Sequence, residues 1–270
     1  MKIGIIGYGS MGRMLLRKFS SNRKIAREDL FIANRTPEKV SKAEDIAVIC
    51  NNKDLAADSD IVFVCVRPSD MRAVLSEISS SLKDDALLVT LNGSITFDMI
   101  RKIADHKTAK VIPSLTAEID RSQTIVCYND LVSDNDKAVL RDLLSSIGEV
   151  IELPENEVGM GSELVSCMPG FIASIFDVIC TSAGKHTSIP QDQIVKMVLN
   201  TMSATGDLML RENMTFDDVV ARVATKGGIT EEGTKVIYEM FPEASDEMFS
   251  KTLAKRKLTA EKASESFNSL

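Results

Sequence analysis

At 270 residues the chain exceeds a usual single α/β domain, and its 44% apolar and 26% charged content is ordinary globular composition, which excludes a disordered or fibrous protein. A formal net charge of −7 without any basic block excludes the phosphate-neutralising footprint that a nucleic-acid partner needs. Five cysteines (Cys50, Cys65, Cys127, Cys167 and Cys180) stand singly with only His106 and His186 beside them, a spacing that suits neither a disulfide framework nor a zinc site.

In chain order, short β-branched runs at 2–6, 30–33, 46–49, 61–66, 86–91, 109–112, 124–128 and 149–153 alternate with helical patterns. Such alternation predicts an α/β domain with a mostly parallel sheet and helices on both faces. Strand signals stop after Pro154, and from Glu157 onward Leu164, Met168, Phe171, Ile172, Ile175, Phe176 and Ile179 recur at helical steps, as do Ile194, Met197, Val198, Leu208 and Met209. The expected organisation is therefore an α/β domain over 1–154 and an all-α domain over 155–270. The first helix of the second part is apolar on more than one stripe, which predicts a homodimer or larger homo-oligomer with the active site near a subunit boundary. The opening run is too short for a signal peptide or membrane span, and no later run reaches about 18 apolar residues. The chain reads as cytoplasmic, with neither a membrane nor nucleic acid among its partners.

Gly7-Tyr8-Gly9-Ser10-Met11-Gly12 lies between the first run and an apolar helix at 14–19, the context in which G-x-G-x-x-G has a mechanism. Its glycines allow a tight turn and close backbone approach, and the helix start offers free N–H groups to a pyrophosphate, so the first half is predicted to be a Rossmann domain. An NAD site carries an acid at the end of the second strand for the ribose 2′-hydroxyl. Here that strand ends in Asn34-Arg35-Thr36. Arg35 is suited to a 2′-phosphate, with Asn34 and Thr36 as neutral donors, so the predicted cofactor is NADP(H).

With these motifs in order, the chain resembles the pyrroline-5-carboxylate reductase family along essentially its whole length. The family's Asn-Arg-Thr loop is matched by Asn34-Arg35-Thr36, its Val-Lys-Pro by Val66-Arg67-Pro68, and its Met-Pro-Asn by Ile112-Pro113-Ser114. The resemblance adds Val66, Arg67, Pro68 and Pro113 to the cofactor-binding set. In the helical half, Val165-Ser166-Cys167-Met168-Pro169-Gly170-Phe171 and Thr225-Lys226-Gly227-Gly228-Ile229-Thr230 stand where the family has Ser-Gly-Ser-Gly-Pro-Ala-Tyr and Ser-Pro-Gly-Gly-Thr-Thr. These variants look most like the family's late-competence ComER branch.

The resemblance implies an NADP-dependent oxidoreductase of proline biosynthesis that reduces a small carboxylated cyclic imine, with pyrroline-5-carboxylate the expected substrate. It assigns Thr230 the hydrogen bond to the imine nitrogen, and it makes Lys226, Gly227, Gly228, Ile229 and Met168 the substrate-binding set. Read from the residues alone, Gly227-Gly228 can present bare N–H groups to a carboxylate, and Thr230 fits a helix N-cap equally well. Met168 puts a long thioether where the family has glycine, which narrows or reshapes the pocket. Two other readings stay open: a non-catalytic NADP-binding regulator that kept the fold, and a β-hydroxyacid-type dehydrogenase. The latter needs a lysine on the long interdomain helix, and 157–184 contains none.

Overall fold

The eight apolar runs become the eight strands of one sheet. In the computed structural model, which describes residues 1–268, β1 (Ile3–Ile6) leads through α1 (Ser10–Ser20) to β2 (Leu30–Ala33) and β3 (Val48–Ile49). The chain then runs through α2 (Asn52–Asp58), β4 (Ile61–Val64), α3 (Pro68–Ile78), β5 (Leu87–Thr90), α4 (Phe97–Arg101) and β6 (Thr108–Ile112). It closes the sheet with β7 (Ser122–Tyr128), α5 (Asp134–Leu144) and β8 (Gly148–Glu152). The spatial order is β3-β2-β1-β4-β5-β6-β7-β8.

Central β1 pairs in parallel on both sides, Ile3 lying opposite Leu30 of β2 and Ile61 of β4. Strand order reverses at this point, which opens a crevice beyond the carboxyl ends of β1 and β4. β7 is antiparallel to β6, with Ala109 opposite Tyr128, and β8 is parallel to β7. Every residue of β1, β2, β4, β5 and β6 is buried, as strands covered on both faces require. The run at 46–49 contributes only Val48 and Ile49 to the sheet, because Ala47 closes a turn onto the Ala43 carbonyl instead.

One buried strand residue is a lysine. The Lys110 ammonium donates to the Glu155 carboxylate at 2.5 Å and lies 4.9 Å from the centre of the Phe97 ring. The same carboxylate accepts from the Phe97 backbone N–H at 2.9 Å, which ties α4, β6 and the exit from β8 together.

Beyond the sheet come α6 (Val158–Ser162), a π-helical turn at Glu163–Cys167, α7 (Met168–Ala183), α8 (Gln191–Glu212), α9 (Phe216–Val223) and α10 (Ile229–Asn268). Contacts divide the chain into Met1–Pro169 with Leu253–Leu270, and Gly170–Thr252. The first unit reaches past the last strand because α6 and the π turn pack on β7. The end of α10 belongs to it as well, burying Ala263 and Phe267 among Met71, Leu75, Ile78 and Ile100.

Within Gly170–Thr252, α9 opens on a reciprocal cap between Thr215 and Asp218 and buries none of its residues. Glu155–Ala183 is a continuous helical stretch with the length and hydropathy, 1.8 over its most apolar window, to cross a membrane. By average composition, one later segment meets the measure that no run of consecutive apolar residues meets. Ser166, Ser174 and Asp177 interrupt the apolar run without lowering its average enough.

Candidate functional site

The carboxyl ends of β1, β2 and β4 converge on a cavity of about 330 Å³. From β1 come Gly7, Tyr8 and Gly9, from β2 Asn34, Arg35 and Thr36, and from β4 Val66 and Arg67. Gly7 has φ +102°, and a Cβ there would sit 2.7 Å from the Cys65 carbonyl oxygen, so only glycine makes this turn. At Gly12 a Cβ would lie 2.0 Å from the Gly7 carbonyl oxygen, because α1 crosses the loop at backbone distance. At Gly9, which precedes the first turn of α1, a Cβ would meet nothing within 4 Å. The cradle over the start of α1 is open where a pyrophosphate needs room and N–H groups, so these residues fit a dinucleotide.

Asn34 braces the loops rather than pointing a free amide into the cavity. Its Oδ1 accepts from the Tyr8 N–H at 3.0 Å and its Nδ2 donates to the Thr36 carbonyl at 2.9 Å. The Arg35 guanidinium is exposed, and its nearest acid is Asp70 of α3, at 3.7 Å. Arg67 precedes α3, whose first residue is Pro68. Ser10 starts α1, half-buried Met11 packs on the core, and Pro113 is buried just past β6, so Ser10, Met11, Gly12, Pro68 and Pro113 stand outside the cavity wall.

Sequence reasoning missed Lys39, Asn52, Cys65 and Asp70, which also line the cavity. Each follows a strand end by a few residues, the one signal that could have found them. Burial pushes the Cys65 thiol up to about 12. Burial, then nearby Asp54 and Asp58, raises Cys50 to about 11. Both shifts disfavour the thiolate, the nucleophilic form.

The motif from Val165 to Phe171 begins inside the π turn, a geometry that recurs at functional positions. Buried Glu163 takes two bonds from Arg256 of α10, at 3.0 and 2.6 Å, and its Oε2 has no partner among the described residues. Arg256 also donates to Ser162 at 3.1 Å and approaches the Cys167 sulfur at 3.9 Å. Burial and then the Glu163 charge raise the Cys167 thiol above its usual range, against the lowering effect of Arg256. Met168 starts α7 and is half-buried.

In Gly170–Thr252, the loop between α9 and α10 holds Lys226 and Gly227 exposed, the latter at φ +72°. The Gly227 N–H already has a carboxylate partner, donating to Glu231 Oε2 at 2.6 Å. Gly228 donates to the Thr225 carbonyl at 2.8 Å, and a Cβ there would meet Thr225 Oγ1 at 2.6 Å. Ile229 is the first and Thr230 the second residue of α10, both exposed, so Thr230 lies inside the first turn rather than at the capping position.

Comparison with known proteins gives two family matches. Residues 2–93 match the family described as NADP oxidoreductase coenzyme F420-dependent, and residues 155–258 match pyrroline-5-carboxylate reductase dimerisation. The chain is 29% identical over 269 residues to pyrroline-5-carboxylate reductase 3 of Bacillus subtilis, covering 96% of this chain and 97% of that protein. It is 26% identical to ComE operon protein 4 of the same organism, covering 88% of each. Among solved structures, pyrroline carboxylate reductase of Plasmodium falciparum with NADP bound superposes with a TM-score of 0.87 at 20% identity, over 96% of this chain and 98% of that one.

Proposed function

The chain belongs to the pyrroline-5-carboxylate reductase family of NAD(P)-dependent oxidoreductases, and on that premise we propose that it uses NADP(H) to reduce a small carboxylated cyclic imine, pyrroline-5-carboxylate to proline. The observation that carries this reading is the joining, in one chain, of an open glycine cradle beside Arg35 with a region matching the family's dimerisation part. We keep 1–154 as the cofactor-binding part and 155–270 as the substrate and dimerisation part, in a cytoplasmic homodimer or larger assembly. A second subunit, rather than lipid, is the cover we assign to the apolar stretch Glu155–Ala183, since the dimerisation match begins at its first residue.

When bound, the nicotinamide supplies the hydride, so the chain's own residues bind, orient and exclude water. Gly7, Gly9, Ser10, Met11 and Gly12 form or support the pyrophosphate cradle at the start of α1. Arg35 receives the 2′-phosphate, while Asn34 and Thr36 hold that loop in shape. Val66, Arg67, Pro68 and Pro113 line or shape the strand ends beside the cofactor. In the helical half we keep Lys226, Gly227, Gly228, Ile229 and Met168 as the substrate-binding set, with the N–H groups at Gly227 and Gly228 assigned to the substrate carboxylate. The Thr230 hydroxyl donates to the ring nitrogen as its charge changes.

One observation favours the non-catalytic alternative: Glu231 occupies the Gly227 N–H that a substrate carboxylate would need. Steady-state reduction of pyrroline-5-carboxylate by Thr230→Val, beside NADPH titration and a urea midpoint, separates the two readings. Loss of one transition-state hydrogen bond lowers kcat about five- to a hundredfold while NADPH affinity stays nearly constant. An unchanged kcat removes Thr230 from the mechanism. Tight NADPH binding without turnover of any cyclic imine by the unmodified protein makes the chain a regulator.

A further inference from the structure

The cavity carries two opposite charges from different elements. Arg35 follows β2, where an NAD site would place its acid. Asp70 comes from the β4–α3 junction, as the third residue of α3, and its backbone N–H bonds to the Arg67 carbonyl at 2.9 Å. Both side chains line the same cavity, and the Asp70 carboxylate lies 3.7 Å from the Arg35 guanidinium. No other acid lines this cavity among the described residues, while Lys39 and Arg67 add to its positive charge.

A carboxylate at this place has two consequences for a ribose. It opposes a phosphate on the 2′-oxygen, directly through its charge and indirectly by holding the guanidinium that the phosphate would use. It can also accept from a free 2′-hydroxyl, the task of the missing acid at the end of β2. We propose that Asp70 is a cofactor-specificity residue, which restrains the preference for NADP(H) set by Arg35 and keeps NAD(H) an admissible cofactor. The inference rests on the reading that the cavity binds NADP(H).

Equilibrium titration of the full chain with NADP⁺ and NAD⁺, followed by calorimetry so that no turnover is needed, tests it on Asp70→Asn. Asn keeps the size and an acceptor oxygen and removes the charge. Removing one unit charge several ångströms from a phosphate, at a partly exposed site, is expected to tighten NADP⁺ about five- to fiftyfold. NAD⁺ affinity is expected to stay within about threefold, since the acceptor remains. The gain for NADP⁺ shrinks as salt is raised to roughly 0.5 M, because the site is open to solvent. NADP⁺ affinity that does not change, or equal tightening of both cofactors, overturns the proposal. If the unmodified protein binds neither dinucleotide, the cofactor reading fails first, and the titration of that protein alone reveals it.

Discussion

A methyl group added at Gly12 meets the backbone of Gly7, whereas the same methyl at Gly9 points into open space. The two glycines of one motif are therefore separable, one fixed by backbone packing and the other left open at the cavity. Gly12→Ala is expected to lower stability by about 2 kcal/mol or more, since a carbonyl rather than a flexible side chain must move. Gly9→Ala is expected to leave the urea midpoint nearly unchanged, within about 0.5 kcal/mol, and to weaken NADP⁺ at least about tenfold by filling the cradle. A Gly9→Ala protein that binds NADP⁺ as before sinks the assignment of that cradle. The motif made these glycines legible, and a missing acid made Arg35 so. Asp70 was hidden because an acid in the first turn of a helix reads as ordinary dipole chemistry. The bracing role of Asn34 was hidden too, because it depends on Tyr8, which is 26 residues away.

The strands were written plainly, since each of the eight coincides with a β-branched run. What periodicity could not supply was the polar pairing that pins elements to one another. Lys110 sits inside a run that reads as a buried strand, and the partner that makes it tolerable arrives 45 residues later. The π turn is similar, because Arg256 reaches Glu163 across 93 residues and no local pattern announces it. The Lys110 pair gives an element-scale prediction. Glu155→Ala strands a buried ammonium and frees the Phe97 N–H, so it is expected to cost about 2–4 kcal/mol, discounted from a fully buried pair because Glu155 is partly exposed. Lys110→Met, which removes the charge and keeps the length, is expected to cost about 1 kcal/mol or less. Urea midpoints of the two variants check the order, and equal losses would mean the pair contributes only its packing.

At the scale of the whole molecule, the two units stand in different physical situations. The sheet unit buries its apolar strands on both faces, but Gly170–Thr252 leaves Val178 68%, Leu210 78%, Phe216 77% and Ile229 95% exposed. Helix α8 buries only Ile194 across its 22 residues, and α7 only Cys180. A soluble monomer rarely leaves so much apolar helix surface in water, and each large side chain covered by a partner gains about 1.5–3 kcal/mol. The dimerisation match spans this same region, which makes a second copy of the chain the cover its chemistry suits. Stable dimers commonly bury more than about 1,200 Å². Sedimentation equilibrium at micromolar concentration is therefore expected to return twice the 29.5 kDa chain mass or a higher multiple. The midpoint of thermal unfolding is expected to rise with protein concentration, because association stabilises only the folded state. A compact 29.5 kDa species with a concentration-independent midpoint would contradict the dimer and leave the apolar helices of Gly170–Thr252 to be covered by something else.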